Sequence, residues 1–382
     1  MDLHARYPGL DDLKSRARQR LPLFVWEYLD SATGREATKR HNRAQLDAIR
    51  LRPAILRGAL RFDTATTLLG QTHPLPFGVA PIGQSGLIWP GAEVTLARAA
   101  TAAGLPYCLS TVAAAAPEEV GPHTGGRGWF QLYPPKDPEI RRDIVTRARD
   151  AGFSTLVLTV DVPVASRRER QTRSGLTQPA RLTPRLLAQI ATRPAWALAT
   201  ARKGRPTMPT IARYAEDRPG LPPTEHIGYL LRTSPDWDYL RWLRDAWDGP
   251  FVVKGVLDPA DAAPLEAAGV DALWISNHAG RQFDAAPAPV DVLPAFRAAT
   301  TLPLIADSGF EGGLDILRGL ALGADFIMMG RAWHYALAAL GPAGPDHLID
   351  MFRRDIEANM GQLGLTRLSE AGGRLITDQT GA

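Results

Sequence analysis

The chain has 382 residues, a hydrophobic fraction of 45%, and a formal net charge of +4 with a pI near 9.3. That length carries one large domain or two ordinary ones, and so mild a basic excess, without any nucleic-acid-binding motif, does not point to RNA or DNA. A single cysteine, Cys108, excludes disulfides within the chain and cysteine-based metal sites, and it fits a reducing compartment.

Met1 to Arg20 is charged throughout and has no apolar core, so it does not read as a signal peptide. No stretch approaches the roughly 20 apolar residues of a spanning helix. A cytoplasmic location is the expectation. Residues 1–76 form an extension that carries an amphipathic helix around Leu13–Leu29. Short apolar runs then follow at Phe77–Ala80, Tyr107–Leu109, Gly128–Leu132 and Thr155–Val160. They resume at Phe251–Val253, Ala272–Ile275, Pro303–Ala306 and Asp325–Met329. Each has a helix-like segment behind it. Asp137-Pro138 opens one and Gly152 closes it; Asp258-Pro259 opens another and Gly269 closes it. Asp as N-cap, Pro at the first helical position and Gly past the end is the expected asymmetry of a helix. Strands alternating with helices imply a parallel sheet, and eight such units imply a closed (β/α)8 TIM barrel with its site at the carboxyl ends of the strands. An open doubly wound sheet is the alternative, but no GxGxxG follows a strand.

Residues 165–236, between the fourth strand and its helix, interrupt this pattern. Loops of that length are functional or mobile. From Ala165 to Arg213 the basic residues are Arg167, Arg168, Arg170, Arg173, Arg181, Arg185, Arg193, Arg202, Lys203, Arg205 and Arg213, against one acidic residue, Glu169. Leu182, Leu186, Leu187, Ile190, Trp196 and Leu198 add an apolar set. Such a segment suits an anionic membrane surface, with a solvated lid whose arginines capture substrate as the rival reading.

In a barrel, the polar residues ending the strands face one mouth. These are Ser110-Thr111, Gln131 and Tyr133, Thr159 and Asp161 followed by Arg167-Arg168, Lys254, His278 and Arg281, Asp307-Ser308-Gly309, and Gly330-Arg331. His278 and Arg281 stand three residues apart. An imidazole can take a proton while a guanidinium holds a carboxylate through two parallel bonds, which suits an anionic substrate that must be deprotonated. Gly309, Gly312, Gly313 and Gly330 let backbone amides approach a ligand, and the seventh and eighth loops of such barrels commonly bind phosphate.

Several stretches together resemble the FMN-dependent L-2-hydroxy acid dehydrogenases and oxidases, most nearly the (S)-mandelate and L-lactate dehydrogenases. They are Trp129-Phe130-Gln131-Leu132-Tyr133, Leu158-Thr159-Val160-Asp161-Val162-Pro163, Val253-Lys254-Gly255, Ser276 to Gln282, and Ala321-Leu322-Gly323-Ala324-Asp325 leading to Gly330-Arg331. The likeness runs from Leu21-Pro22 to about Gly361, as a single domain. It implies oxidation of a lactate- or mandelate-like acid to the 2-keto acid, with FMN as cofactor and a quinone or cytochrome as electron acceptor. It also implies a homotetramer and peripheral contact with the inner face of the cell membrane. By resemblance, His278 is the base, taking the hydroxyl proton while the C2 hydrogen passes to the flavin, or taking the C2 proton itself. Asp161 orients it. Arg281 and Arg168 hold the substrate carboxylate, and Tyr133 bonds the hydroxyl. Ser110, Gln131, Thr159 and Ser276 contact the flavin, with Pro81 and Gly83 beside it. Lys254 stabilises its reduced ring, Asp307 binds the ribityl hydroxyls, and Gly309, Gly330 and Arg331 bind the phosphate.

Three positions depart from the family pattern. Trp26 stands at the expected site of a carboxylate-binding tyrosine, with Tyr28 two residues on. Ala279 replaces a glycine. Glu311 occupies the position of a phosphate-binding arginine; the expectation is that it turns away while the amides of Gly312 and Gly313 compensate. Val112, in place of a tryptophan, implies a roomier pocket. Other readings are an oxygen-using oxidase that makes hydrogen peroxide, and a catalytically weak flavin-binding scaffold.

Overall fold

The computed structural model describes residues 2–176, 183–216 and 234–376. Eight parallel strands close into a barrel: Phe77–Val79, Tyr107–Ser110, Gly128–Leu132, Thr155–Thr159, Phe251–Val256, Ala272–Ile275, Leu304–Ala306 and Phe326–Met329, the last pairing with the first. Nearly all their residues are buried, as expected of strands covered on one face by helices and on the other by the barrel core. The interior positions are Ala80, Cys108, Trp129, Val157, Val252, Ala272, Trp274, Ile305, Phe326 and Met328. Trp129 and Trp274 meet edge to face, with ring centroids 6.2 Å apart. The barrel is therefore a filled core. A hairpin, Thr66–Leu68 with Gln71–His73, adds Leu68 to that interior cluster.

The helices follow their local signals. Pro138–Asp150 begins at Asp137, whose carboxylate accepts from the amides of Glu139 and Ile140, and it buries Ile144, Val145 and Ala148. The Asp258 signal opens a short 3-10 turn that continues as Ala262–Ala267. The single amphipathic helix expected around Leu13–Leu29 is instead two helices, Leu10–Arg20 and Leu23–Asp30. Pro22 explains the break: it lacks an amide proton and forces Leu21 into an extended conformation.

The segment after the fourth strand is largely helical where described, with Glu169–Ser174, Pro184–Ala191, Pro194–Lys203 and Pro209–Glu216. Arg181 and Leu182 lie outside the described residues. The segment is fastened to the amino-terminal extension. Arg170 pairs with Glu27, Asp30 and Glu36 at 2.6, 3.0 and 3.0 Å. Gln189 accepts from the Phe24 amide, and Arg193 donates to the Leu21 carbonyl. This corrects the membrane-facing apolar set. Trp196 is only 4% exposed, donates to the Leu87 carbonyl and meets Phe24 edge on; Leu186 is also buried. Part of the basic excess is likewise committed internally, with Lys203 on Glu119 and Arg213 on Asp143.

Candidate active site

Strand periodicity builds the floor of the site. Side chains two residues apart share a face. Two positions beyond the core residues Cys108, Trp129, Val157, Val252, Trp274 and Ile305 stand Ser110, Gln131, Thr159, Lys254, Ser276 and Asp307. A polar layer thus caps the apolar core. It is internally bonded: Ser110 Oγ donates to Gln131 Oε1 at 2.8 Å, and Gln131 Nε2 donates to Thr159 Oγ1 at 2.9 Å. Lys254 Nζ donates to Ser276 Oγ at 2.7 Å and lies 3.2 Å from Asp307. Burial alone would lower the Lys254 pKa, but Asp307 and Asp161 outweigh it and hold the ammonium charged.

Above this layer lies a cavity of about 500 Å³. Pro81, Gly83, Tyr133, Arg168, Lys254, His278, Arg281, Asp307, Gly309, Gly330 and Arg331 line it. Ser110, Gln131, Thr159, Ser276 and Asp161 sit behind these. His278 Nδ1 is 3.1 Å from Asp161 Oδ1, which leaves Nε2 as the free nitrogen. Gly255 makes the pair possible: it sits at a bulge with φ +105°, and a Cβ there would lie 2.5 Å from Asp161 Cβ. Burial lowers the His278 pKa against the raising influence of Asp161, and Lys254 and Arg168 lower it further. For Asp161, burial is outweighed by His278 and Lys254, so its pKa is lowered. The resting pair is a carboxylate and a neutral imidazole. The loop carrying it is held by reciprocal amide bonds between Asn277 and Asn42. His278 and Ala279 both adopt left-handed backbone, at φ 54° and 53°.

Arg281 donates to the carbonyls of Tyr28 and Ser31, and Arg168 to Ser166 Oγ; neither has a carboxylate partner among the described residues. Burial, then Arg168 and Arg331, lowers the Arg281 pKa well below its usual value. A guanidinium does not give up its proton, so this crowding is a standing demand for an anion. Trp26 does not supply the carboxylate contact expected of it. It is 4% exposed, packs 5.7 Å from the Tyr335 ring and does not line the cavity. Tyr28 does, with its hydroxyl 2.6 Å from the Gly83 carbonyl and its ring under Arg281. The helical pitch decides this: two residues turn a side chain through about 200°. Gln84, Gln171 and Met208 also line the cavity. No sequence signal marked them.

At the far end, the seventh and eighth loops differ. The amides of Gly313 and Leu314, at the start of helix Gly313–Ala321, already donate to Asp355, and the Glu311 amide donates to Asp315. The expected compensation by Gly313 is therefore unavailable. Helix Arg331–Leu340 has no side-chain cap, and Gly330, Arg331 and Ala332 at its start line the cavity. An uncapped helix start beside a guanidinium suits a phosphate. Glu311 lines the same cavity and opposes it.

A closed parallel barrel whose mouth combines a histidine–carboxylate pair with two guanidiniums lacking carboxylate partners among the described residues suits an enzyme acting on a small anion. The chain belongs to the FMN-dependent dehydrogenase family, whose profile matches residues 17–378. It is 40% identical over 365 residues to an L-lactate dehydrogenase of Ectopseudomonas mendocina, covering 94% of this chain and 96% of that one. An L-lactate dehydrogenase of Stenotrophomonas maltophilia is 39% identical over 367 residues, covering 94% and 96%. Among solved structures, the monotopic membrane protein (S)-mandelate dehydrogenase superposes with a TM-score of 0.92 at 33% identity, covering 97% of this chain and 99% of that one. The family implies an FMN cofactor. The residues present fit it: a charged buried lysine and a bonded polar floor for the ring, Asp307 for hydroxyls, and the start of helix Arg331–Leu340 for the phosphate.

Proposed function

We propose that this enzyme oxidises an L-2-hydroxy acid of the lactate or mandelate kind to the 2-keto acid. The observation that carries the reading is that Arg281 and Arg168, two guanidiniums without carboxylate partners among the described residues, line one cavity with His278, which Asp161 holds from behind. Arg281 and Arg168 hold the substrate carboxylate and Tyr133 directs its hydroxyl at the substrate, while Tyr28, whose hydroxyl donates to the Gly83 carbonyl in this structure, turns that proton to the carboxylate when substrate binds. Burial raises both tyrosine pKa values, so both remain protonated. His278 Nε2 takes one proton, and Asp161 stabilises the imidazolium that forms. FMN, when bound, would supply the oxidant, accepting the two electrons and the second proton as the C2 carbinol becomes a carbonyl. Lys254 holds positive charge beside the ring, where Ser276 and Asp307 fix it. Anaerobic bleaching of the flavin by L-lactate or L-mandelate tests the reading, and an unchanged spectrum with both acids counts against it.

Electrons pass on to a quinone or cytochrome. The relatives named as dehydrogenases favour a dehydrogenase over an oxidase, so the reduced protein should reoxidise slowly in air. Peripheral membrane contact is supported by the monotopic mandelate dehydrogenase relative and by a reduced surface set: Leu23, Leu187 and Leu198, at 44, 51 and 52% exposure, with exposed Arg202 and Arg205. Among the described residues no helix is long and apolar enough to cross a membrane. Salt-sensitive sedimentation with anionic vesicles that is lost in a Leu187→Ser, Leu198→Ser variant is expected. Equal sedimentation of both proteins would exclude this face. A homotetramer, expected from the resemblance, is checked by sedimentation equilibrium.

A further inference from the structure

Ser308, on the loop after the seventh strand, lines the cavity in a backbone conformation that glycine would adopt more easily. Its φ is 75°, in the left-handed region. A side chain kept there works against steric strain, and such outliers gather at functional sites. The hydroxyl supplies a reason, because it is buried and bonded twice. Ser308 Oγ accepts from the Ala279 amide at 2.9 Å and donates to Asp307 Oδ1 at 2.6 Å.

The Ala279 amide belongs to the peptide between His278 and Ala279, the two consecutive left-handed residues of the sixth loop. The orientation of that one peptide plane sets ψ of His278 and φ of Ala279, so a bond on its N–H holds both strained residues at once. The flanking amides are also bonded, His278 N to Ser276 Oγ at 3.1 Å and Gly280 N to Asn277 Oδ1 at 3.2 Å. Those two acceptors lie on the same loop as the base. Ser308 reaches in from the next one. Its partner Asp307 turns the other carboxylate oxygen, Oδ2, to Lys254 Nζ at 3.2 Å, and Lys254 donates to Ser276 Oγ. The bonds therefore run from Lys254 through Asp307 and Ser308 to the peptide beside His278, and back through Ser276. We propose that Ser308 is a positioning residue: its hydroxyl ties the strained His278–Ala279 peptide to the Asp307–Lys254 pair and so aims the base. This rests on the 2-hydroxy acid oxidation proposed above, in which His278 takes a proton.

The test compares Ser308→Gly and Ser308→Ala with the wild type, all as FMN-loaded protein. Glycine removes the hydroxyl and the backbone strain together; alanine removes the hydroxyl and leaves the strain. The flavin spectrum shows that each variant is folded and loaded. Hydrogen exchange, read by mass spectrometry on the peptide spanning Ala279, should be about tenfold or more faster in Ser308→Gly. The limiting rate of anaerobic flavin reduction by L-lactate or L-mandelate should fall about tenfold or more, because the base is misplaced. The dissociation constant of the acid should change little, since Arg281 and Arg168 are anchored on other groups. The acid limb, set by His278 among Asp161, Lys254 and Arg168, should move up toward the ordinary histidine value as a loosened imidazole gains water. Ser308→Ala should show the same changes. A glycine variant with wild-type exchange, limiting rate and acid limb would overturn the inference, because strain alone would then account for any defect in the alanine variant. Loss of FMN from both variants would also overturn it, by assigning the hydroxyl to the cofactor through Asp307. No bleaching of the wild type by either acid removes the 2-hydroxy acid reading, and the role in catalysis with it, while faster exchange in Ser308→Gly still upholds the tie between the loops.

Discussion

Replacing Glu311 by arginine should tighten FMN binding, and Coulomb's law gives the rough size of the effect. The start of helix Gly313–Ala321 is neutralised by Asp355 and Asp315, so it offers a phosphate little. Attraction comes from the uncapped start of helix Arg331–Leu340 and from Arg331, which also donates to the carbonyls of Leu29 and Ser31. Glu311 is partly buried on the wall of the same cavity. Two unit charges about 5 Å apart at an effective dielectric constant of 20 interact by about 3 kcal/mol. Solvent access reduces this, and about 1.5 kcal/mol is a conservative remainder for reversing the side-chain charge. That corresponds to about tenfold in affinity. Riboflavin, which has no phosphate, serves as the internal control. Fluorescence-quenching titrations of apoprotein should show the FMN dissociation constant falling about tenfold in Glu311→Arg, with riboflavin nearly unchanged. Weaker FMN binding in the variant, or an equal gain for both flavins, would refute the electrostatic reasoning.

His278→Ala should retain FMN and slow flavin reduction by about 10² to 10⁴-fold; near wild-type reduction would remove it as the base. Because burial holds the His278 pKa below 6.5, the acid limb of kcat/KM should fall below that value. The same depressed pKa makes its stability contribution complete above pH 6.5 and lost as pH falls through the folded value. Arg281→Lys should damage both substrate binding and turnover, since an ammonium cannot make the planar two-bond contact. Tyr28→Phe should raise KM for the acid, whereas Trp26→Phe should lower thermal stability with KM little changed. The reverse pattern would restore Trp26 to the site. Ala279→Gly should stabilise the fold by about 0.5–1 kcal/mol in urea unfolding, because a left-handed alanine is strained by more than the extra chain entropy of glycine opposes. A loss of stability would show that the alanine methyl packs usefully.

The barrel was legible because its signals are local. Apolar runs, Asp-Pro starts and Gly stops recur often enough to count the units. The polar floor was legible for a related reason: strand periodicity places Ser110, Gln131, Thr159 and Lys254 directly beyond core residues. Trp26 was expected in the site in place of Tyr28 because the cavity-facing side of a short helix depends on where Pro22 breaks the chain, and neighbouring aromatic residues satisfy the same hydropathy pattern. Trp196 was misread for a different reason. An apolar residue inside a basic stretch suits a membrane face and a docked helix equally well, and only the Leu87 carbonyl and Phe24 ring distinguish them. Gln84 and Gln171 line the cavity yet carry no periodic or motif signal, because both come from loop or short-helix segments outside the strand pattern.

The amino-terminal extension and the long segment are coupled through one residue. Arg170 joins Glu27, Asp30 and Glu36 and stands two residues from Arg168, which faces the cavity. Thr33 Oγ1 also bonds the Arg167 carbonyl, and Gly280 receives the Thr33 amide at its carbonyl. The same stretch of the extension therefore fixes the backbone beside Arg168 and the backbone between His278 and Arg281. Arg281 in turn commits one terminal nitrogen, Nη1, to the carbonyls of Tyr28 and Ser31. Cavity-lining groups from the extension, the fourth-strand loop and the sixth-strand loop are thus positioned by one another, not by the barrel alone. The barrel supplies the floor and the His278–Asp161 pair. The mutual positioning of Tyr28, Arg168 and Arg281 belongs to the two segments that break the eightfold pattern, and substrate selectivity should change with those segments while the barrel stays as it is.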